Sequence, residues 1–245
     1  MDLFKDIIER GESYYAANGR RKNGPDGKFS GAMIWDHALR VWKLAQWIGG
    51  ESGISLTKAE RPLAAAALFH DAGWIEQVSR GTCEPIEVFS RPADAELRRF
   101  SQQAASEQLR GVLSEGELGQ ACRWVAQLPP SRPADDAARI LADADNLEEM
   151  GLVGLLRQVR CGLINGRCPD HLVEVWRRQQ EYHYWEARIK TGFHLEASRR
   201  LALKRLERMG RFFDALDREL DGTDARELSG TPAALSSKPI GTGGV

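Results

Sequence analysis

Apolar residues recur along most of the chain at spacings of three and four, and no run alternates apolar with β-branched polar residues. That is the pattern of helices that bury one face. It predicts helices over about 2–17, 32–50, 57–75, 94–114, 116–128, 134–164, 169–188 and 192–220. The expected fold is all-α, a single-domain helical bundle spanning residues 1–220, since no linker or repeat divides that stretch. Two segments break the periodicity. Asn18 to Gly31 (NGRRKNGPDGKFSG) is rich in glycine and basic residues and reads as a loop between the first two helices. Gly222 to Val245 is rich in Gly, Ser, Thr and Pro and reads as a disordered tail.

One predicted helix carries an anomaly. Leu63 to Phe69 (LAAAALF) is apolar throughout, the mark of a helix buried on several sides. His70 and Asp71 follow at once, then Gly73. Burying an imidazole and a carboxylate is costly unless they are paired or bind a metal. The plain alternative is a helix end, with the imidazole on a backbone carbonyl and Gly73 as a left-handed stop. Two further stretches set metal-type ligands among core-like neighbours: His37 in IWDHALRVWKLAQWI, and Asp143 and Asp145 in ARILADADNLEEMG. Those two aspartates could equally cap a following helix. If the three helices pack together, His37, His70, Asp71 and one late aspartate converge. Two imidazoles and two carboxylates suit a divalent ion such as Mn, Fe, Co, Ni or Zn, with positions left for water and a phosphoryl oxygen.

Composition narrows the partners. The 245 residues are 42% hydrophobic and 28% charged, with a formal net charge of -1. No global field draws such a chain to nucleic acid or anionic membrane, so any phosphate must be bound locally. No stretch approaches the roughly 18 apolar residues of a membrane span. The start, MDLFKDIIERG, carries acids early and does not read as a secretory signal. The four cysteines (Cys83, Cys122, Cys161, Cys168) form no CxxC pair, which fits reduced thiols and a cytoplasmic chain.

The order H…HD…D in these contexts resembles the HD-domain superfamily of metal-dependent phosphohydrolases. DHALRVWKLAQWI resembles that family's first histidine helix, LAAAALFHDAGW its AALLHDIG-like motif, and ILADADNLEEMG the DADRLDxxG ending of small bacterial members. EASRRLALKRLERMGRFFDAL resembles their C-terminal helix. The resemblance implies an HD-fold bundle and the metal ligands His37, His70, Asp71 and Asp145, with Asp143 as the other candidate. Asp36 precedes the first histidine and could accept a nearby hydrogen bond. Members that hold two metals insert further histidines after the HD pair. Residues 72–142 contain none, so one divalent ion (Mn, Fe, Co, Ni, Zn or Mg) is expected.

The implied activity is hydrolysis of a phosphate ester in a small phosphorylated molecule, a nucleotide among the candidates. Asp71 or Glu76 would act as general base or acid. Arg21 and Lys22 (beside Arg20), Arg157 and Lys190 are candidate phosphate-binding cations, and Arg160 is a further one. His183 is a candidate substrate contact, with His171 and His194 behind it, and Trp35 or Trp74 could line the pocket. A di-iron oxygenase on the same scaffold, and a non-catalytic module clamped by its metal, stand as alternatives. A homodimer is left open.

Overall fold

A computed structural model describes residues 4–18, 31–128 and 133–228. It is all-α, with twelve α-helices, one 3-10 turn at Pro85–Glu87 and no strand among the described residues. In order they are α1 (Lys5–Asn18), α2 (Ala32–Glu51), α3 (Glu60–Phe69), α4 (Gly73–Arg80), α5 (Ala95–Leu109) and α6 (Glu115–Ala126). There follow α7 (Asp136–Glu148), α8 (Gly151–Ile164), α9 (Pro169–Glu181), α10 (Tyr184–Gly192), α11 (Glu196–Asp221) and α12 (Thr223–Leu228). No helix among the described residues is long and apolar enough to cross a membrane.

The core is built around α3. Every residue from Pro62 to Phe69 is buried, and α1, α2, α5, α6 and α7 all pack against this helix. The alanines at 64–67 let neighbouring backbones come close on several sides, so a short helix serves as an axle. Its last carbonyls would be orphaned inside the core. Side chains take them instead: the Tyr15 hydroxyl donates to Leu68 O at 2.8 Å, and His70 Nδ1 lies 2.9 Å from Ala67 O. One connected hydrophobic core extends from Ile7 on α1 to Phe213 on α11.

The structure divides three of the predicted helices. The one expected over 57–75 breaks between Phe69 and Gly73, although His70 and Ala72 keep right-handed helical angles. The chain tightens there: Ala72 N–H donates to Phe69 O and Trp74 N–H to Asp71 O, bonds spanning three residues. Gly73 N–H leaves the helix for Ser101 Oγ at 2.9 Å. Gly73 is not the left-handed stop considered above. A Cβ at this position would lie 2.2 Å from the carbonyl oxygen of Leu97, so glycine is needed where α5 crosses.

The helix expected over 134–164 divides before Gly151, whose φ is 81°. That expected over 169–188 divides at Tyr182–His183, where His183 adopts φ 52°. The tail expected from Gly222 begins instead with the helix Thr223–Leu228. Residues 229–245, and Arg20, Arg21 and Lys22 of the glycine-rich loop, lie outside the described residues.

Candidate metal centre

Three elements bring the polar residues together. His37 sits on the buried stripe of α2, among Ile34, Ala38, Val41 and Trp42. His70 and Asp71 occupy the tight corner between α3 and α4. Asp145 lies at the edge of the buried stripe of α7, with a quarter of its side chain exposed. His37 Nε2 and His70 Nε2 are 3.1 Å apart. Asp71 Oδ2 lies 3.5 Å from the first and 3.6 Å from the second. Asp145 Oδ1 is 3.4 Å from both. His37, His70 and Asp71 alone form a buried group able to hold a metal ion, and Asp145 closes it from the fourth side.

These separations fit a common ion. Ligand atoms bound at about 2.0–2.2 Å to one metal stand about 3.0–3.6 Å apart in tetrahedral or octahedral arrangements. The proton positions fit as well. A carbonyl only accepts, so the contact with Ala67 O puts the His70 proton on Nδ1 and leaves Nε2 with a lone pair. His37 Nδ1 faces Glu148 Oε2 at 3.5 Å and Arg157 Nη2 at 2.8 Å. The guanidinium can only donate to Nδ1 and the carboxylate can only accept from it, so the two contacts call for opposite tautomers; binding a metal through Nε2 requires the one with Nδ1–H on Glu148. Glu148 is itself fixed by Arg40 Nε at 2.6 Å and Arg157 at 3.3 Å.

In the metal-free cluster, charge favours protons at the places a metal would take. Burial alone would raise the Asp145 pKa, but the His70 charge and hydrogen bonds from both imidazoles hold it well below the usual carboxylate range. Burial works to lower the His70 pKa, yet Asp71 and Asp145 push it above the ordinary 6.5. Arg98, buried on α5, donates to Asp71 Oδ1 at 3.0 Å, to His70 O at 2.8 Å and to Leu128 O at 3.2 Å.

Asp143 points elsewhere. Its two oxygens accept from the N–H groups of His194 and Leu195 at 2.8 and 2.9 Å, tying α7 to the start of α11. It anchors the backbone leading into α11 and is not a member of the cluster. Asp36 is exposed on the opposite side of α2.

The cluster opens into a cleft of about 460 Å³, whose walls include Trp74, Phe89, Arg91, Arg157, Gln158 and Arg188. Phe89 stands over the cluster, its ring 5.0 Å from that of His37, and the Arg157 guanidinium lies 4.7 Å from the Phe89 ring. Its backbone φ of 63° is strained for a bulky residue. Arg160 braces this loop by donating to Val88 O and Ile86 O at 3.0 and 2.9 Å.

Of the candidate cations among the described residues, the structure brings only Arg157 into the cleft. Lys190 is exposed and not part of the wall; Arg188, two residues earlier and about 200° around the helix, is. Glu76 accepts from Arg80 Nε at 2.7 Å on the outer side of α4 and does not reach the cluster. His171 lies near Glu174, and His183 is exposed at the α9–α10 corner. Trp35 packs against Tyr15 and Gly11 rather than lining the cleft.

Arg98, Glu148 and Arg188 were not read from sequence. Each of the first two is a charged residue on an otherwise apolar helix stripe: Arg98 with Leu97, Ser101 and Ala105, Glu148 with Ile140, Leu141 and Ala144. That mismatch was their available signal.

The HD domain family model matches residues 34–150, the stretch that supplies all four clustered residues. This part of the chain belongs to the HD-domain family. Solved structures share the fold. YpgQ of Bacillus subtilis, solved in complex with ADP, is 16% identical, with a TM-score of 0.58 over 91% of this chain and 100% of its own. The Lin1889 protein of Listeria innocua is 17% identical, with a TM-score of 0.55 over 90% and 98%. A predicted HD superfamily hydrolase from an uncultured Thermotogales bacterium is 16% identical, with a TM-score of 0.52 over 88% and 92%. Among curated proteins, none matches the sequence.

Proposed function

We propose that the protein is a metal-dependent phosphohydrolase that holds one divalent ion (Mn, Fe, Co, Ni, Zn or Mg) on His37, His70, Asp71 and Asp145. The observation that carries this reading is the joining of two imidazoles and two carboxylates at the base of a cleft walled by arginines. An ion bound there would lower the pKa of a coordinated water and polarise a phosphoryl oxygen.

The protein's own groups do the rest. Arg98 holds one oxygen of Asp71 and leaves the other towards the cluster. With Oδ2 turned to the ion, Oδ1 beside Arg98 is the oxygen that can accept a proton from an attacking water, which makes Asp71 the candidate general base. Arg157 lies beside the cluster with its guanidinium over Phe89, where it can meet the charge that grows on a phosphoryl group. Trp74 and Phe89 offer flat apolar walls, which suit a small phosphorylated molecule with a planar part. The ADP bound to YpgQ supports a nucleotide.

The test is phosphate release by the metal-loaded full chain from a panel of nucleotides and sugar phosphates. Release that disappears in Asp145→Asn is the expected result. Metal binding without release from any member would favour a non-catalytic module. The oxygenase alternative gains no support, since the other described histidines, at 171, 183 and 194, stand away from the cluster.

A further inference from the structure

Arg157 is fixed beside the cluster, its guanidinium shared between Glu148, the His37 ring and the face of Phe89, and serves the reacting phosphoryl group there. Arg91 is fixed too, donating to Gln77 Oε1 at 2.8 Å and Thr82 O at 3.3 Å. Arg98 is tied to Asp71. The fourth arginine of the cleft wall, Arg188 on α10, differs. Its Nη2 donates to Glu149, its guanidinium lies 5.7 Å from the Trp185 ring, and Glu149 is itself a wall residue of the same cleft. The Glu149 carboxylate is 53% exposed. With its carboxylate open to solvent the pair is weak, so an incoming anion can exchange for the carboxylate at little cost.

Resting on the phosphohydrolase reading, we infer that Arg188 is the substrate's anion-binding residue, and that Glu149 is an internal competitor which occupies it until a phosphorylated ligand arrives. The exchange breaks no covalent bond. Arg188 passes from the Glu149 carboxylate to an oxygen of the ligand, and Glu149 turns to solvent. A phosphate offers Arg188 a bidentate partner of higher charge than the carboxylate it leaves. Glu149 thereby sets the affinity: it screens Arg188 from weak monoanions and yields to a dianion. The opposing idea is that the pair is a clasp, fastening α10 to the α7–α8 corner.

Equilibrium binding of inorganic phosphate to the full chain in the presence of Mn²⁺ separates these. Arg188→Gln weakens phosphate binding by about tenfold. Glu149→Gln tightens it by about three- to fivefold. In the Arg188→Gln background the Glu149→Gln gain falls below about twofold, because the coupling runs through the pair. Thermal melting accompanies each variant: a clasp predicts equal loss of stability in both single variants and no gain in binding. Weakened or unchanged phosphate binding in Glu149→Gln overturns the proposal. So does a gain that persists undiminished in the double variant, which would mark Glu149 as a general repulsive charge, and so does a wild-type chain that binds no phosphate. Phosphate bound as described but no turnover of any ester would remove the hydrolase reading alone.

Discussion

Arg98 and Asp71 form a buried pair in which one guanidinium nitrogen, 3.0 Å from Oδ1, leaves Oδ2 facing both imidazoles. The arginine therefore selects the oxygen available to a metal. Arg98→Met removes one partner of a buried pair and strands the other. We expect a loss of about 3–5 kcal/mol in metal-free stability, with metal affinity about 10–100-fold weaker. Denaturant titration and metal titration check the two numbers separately. Unchanged metal affinity would mean that Asp71 needs no such fixing.

Glu148 and Arg157 touch the same imidazole nitrogen but have opposite chemistry, one an acceptor and the other a donor. Glu148→Gln should weaken metal affinity by about 10–100-fold, since the His37 proton loses its anionic acceptor. Arg157→Ala should spare metal affinity, or raise it by removing a competing donor and a positive charge, while lowering turnover. Parallel calorimetric titrations of both variants decide this; equal weakening in the two would make Arg157 a mere support for Glu148.

Asp143 and Asp145 are two residues apart and serve different ends. Asp143→Ala removes acceptors from the N–H groups of His194 and Leu195. It should destabilise the fold by about 1–3 kcal/mol, the cost of leaving buried N–H groups without an acceptor, with the metal content intact. Asp145→Ala should do the reverse, sparing most of the stability and losing the metal. Metal analysis beside a melting curve distinguishes them.

The metal-free and metal-loaded chains should respond to pH in opposite senses. The pKa of His70 is raised in the folded chain, so its contribution is full below the ordinary 6.5 and is lost as pH rises through the folded value. Asp145 is held well below its ordinary value, so its contribution is present at neutral pH and lost only in strong acid. With a chelator present, melting should therefore fall as pH rises above the ordinary 6.5. Ligation needs neutral imidazoles, so the stabilisation added by metal should grow over the same range. A chelated protein that becomes more stable across this window would contradict the assignment of His70.

Much of this site could be read from the chain because its signal is local. An imidazole and a carboxylate directly after the seven apolar residues Leu63–Phe69 violate the helix's own pattern, and His37 and Asp145 do so in their helices. The helical periodicity likewise marks where most elements lie. The breaks at Phe69–Gly73 and Met150–Gly151 are different, because each depends on a partner from elsewhere. Gly73 is set by Leu97 and Ser101, and Gly151 packs on Arg205. The same holds for the cleft: Arg188 rather than Lys190 faces it because of how α10 is turned, which its own residues do not state.

The most direct measurement of the central claim is the metal content per chain of the purified protein and of His70→Ala, taken with circular dichroism. The account predicts one divalent ion per chain in the wild type, and none in the variant at nearly unchanged helix content. Two irons per chain, or an ion retained in His70→Ala, would contradict it.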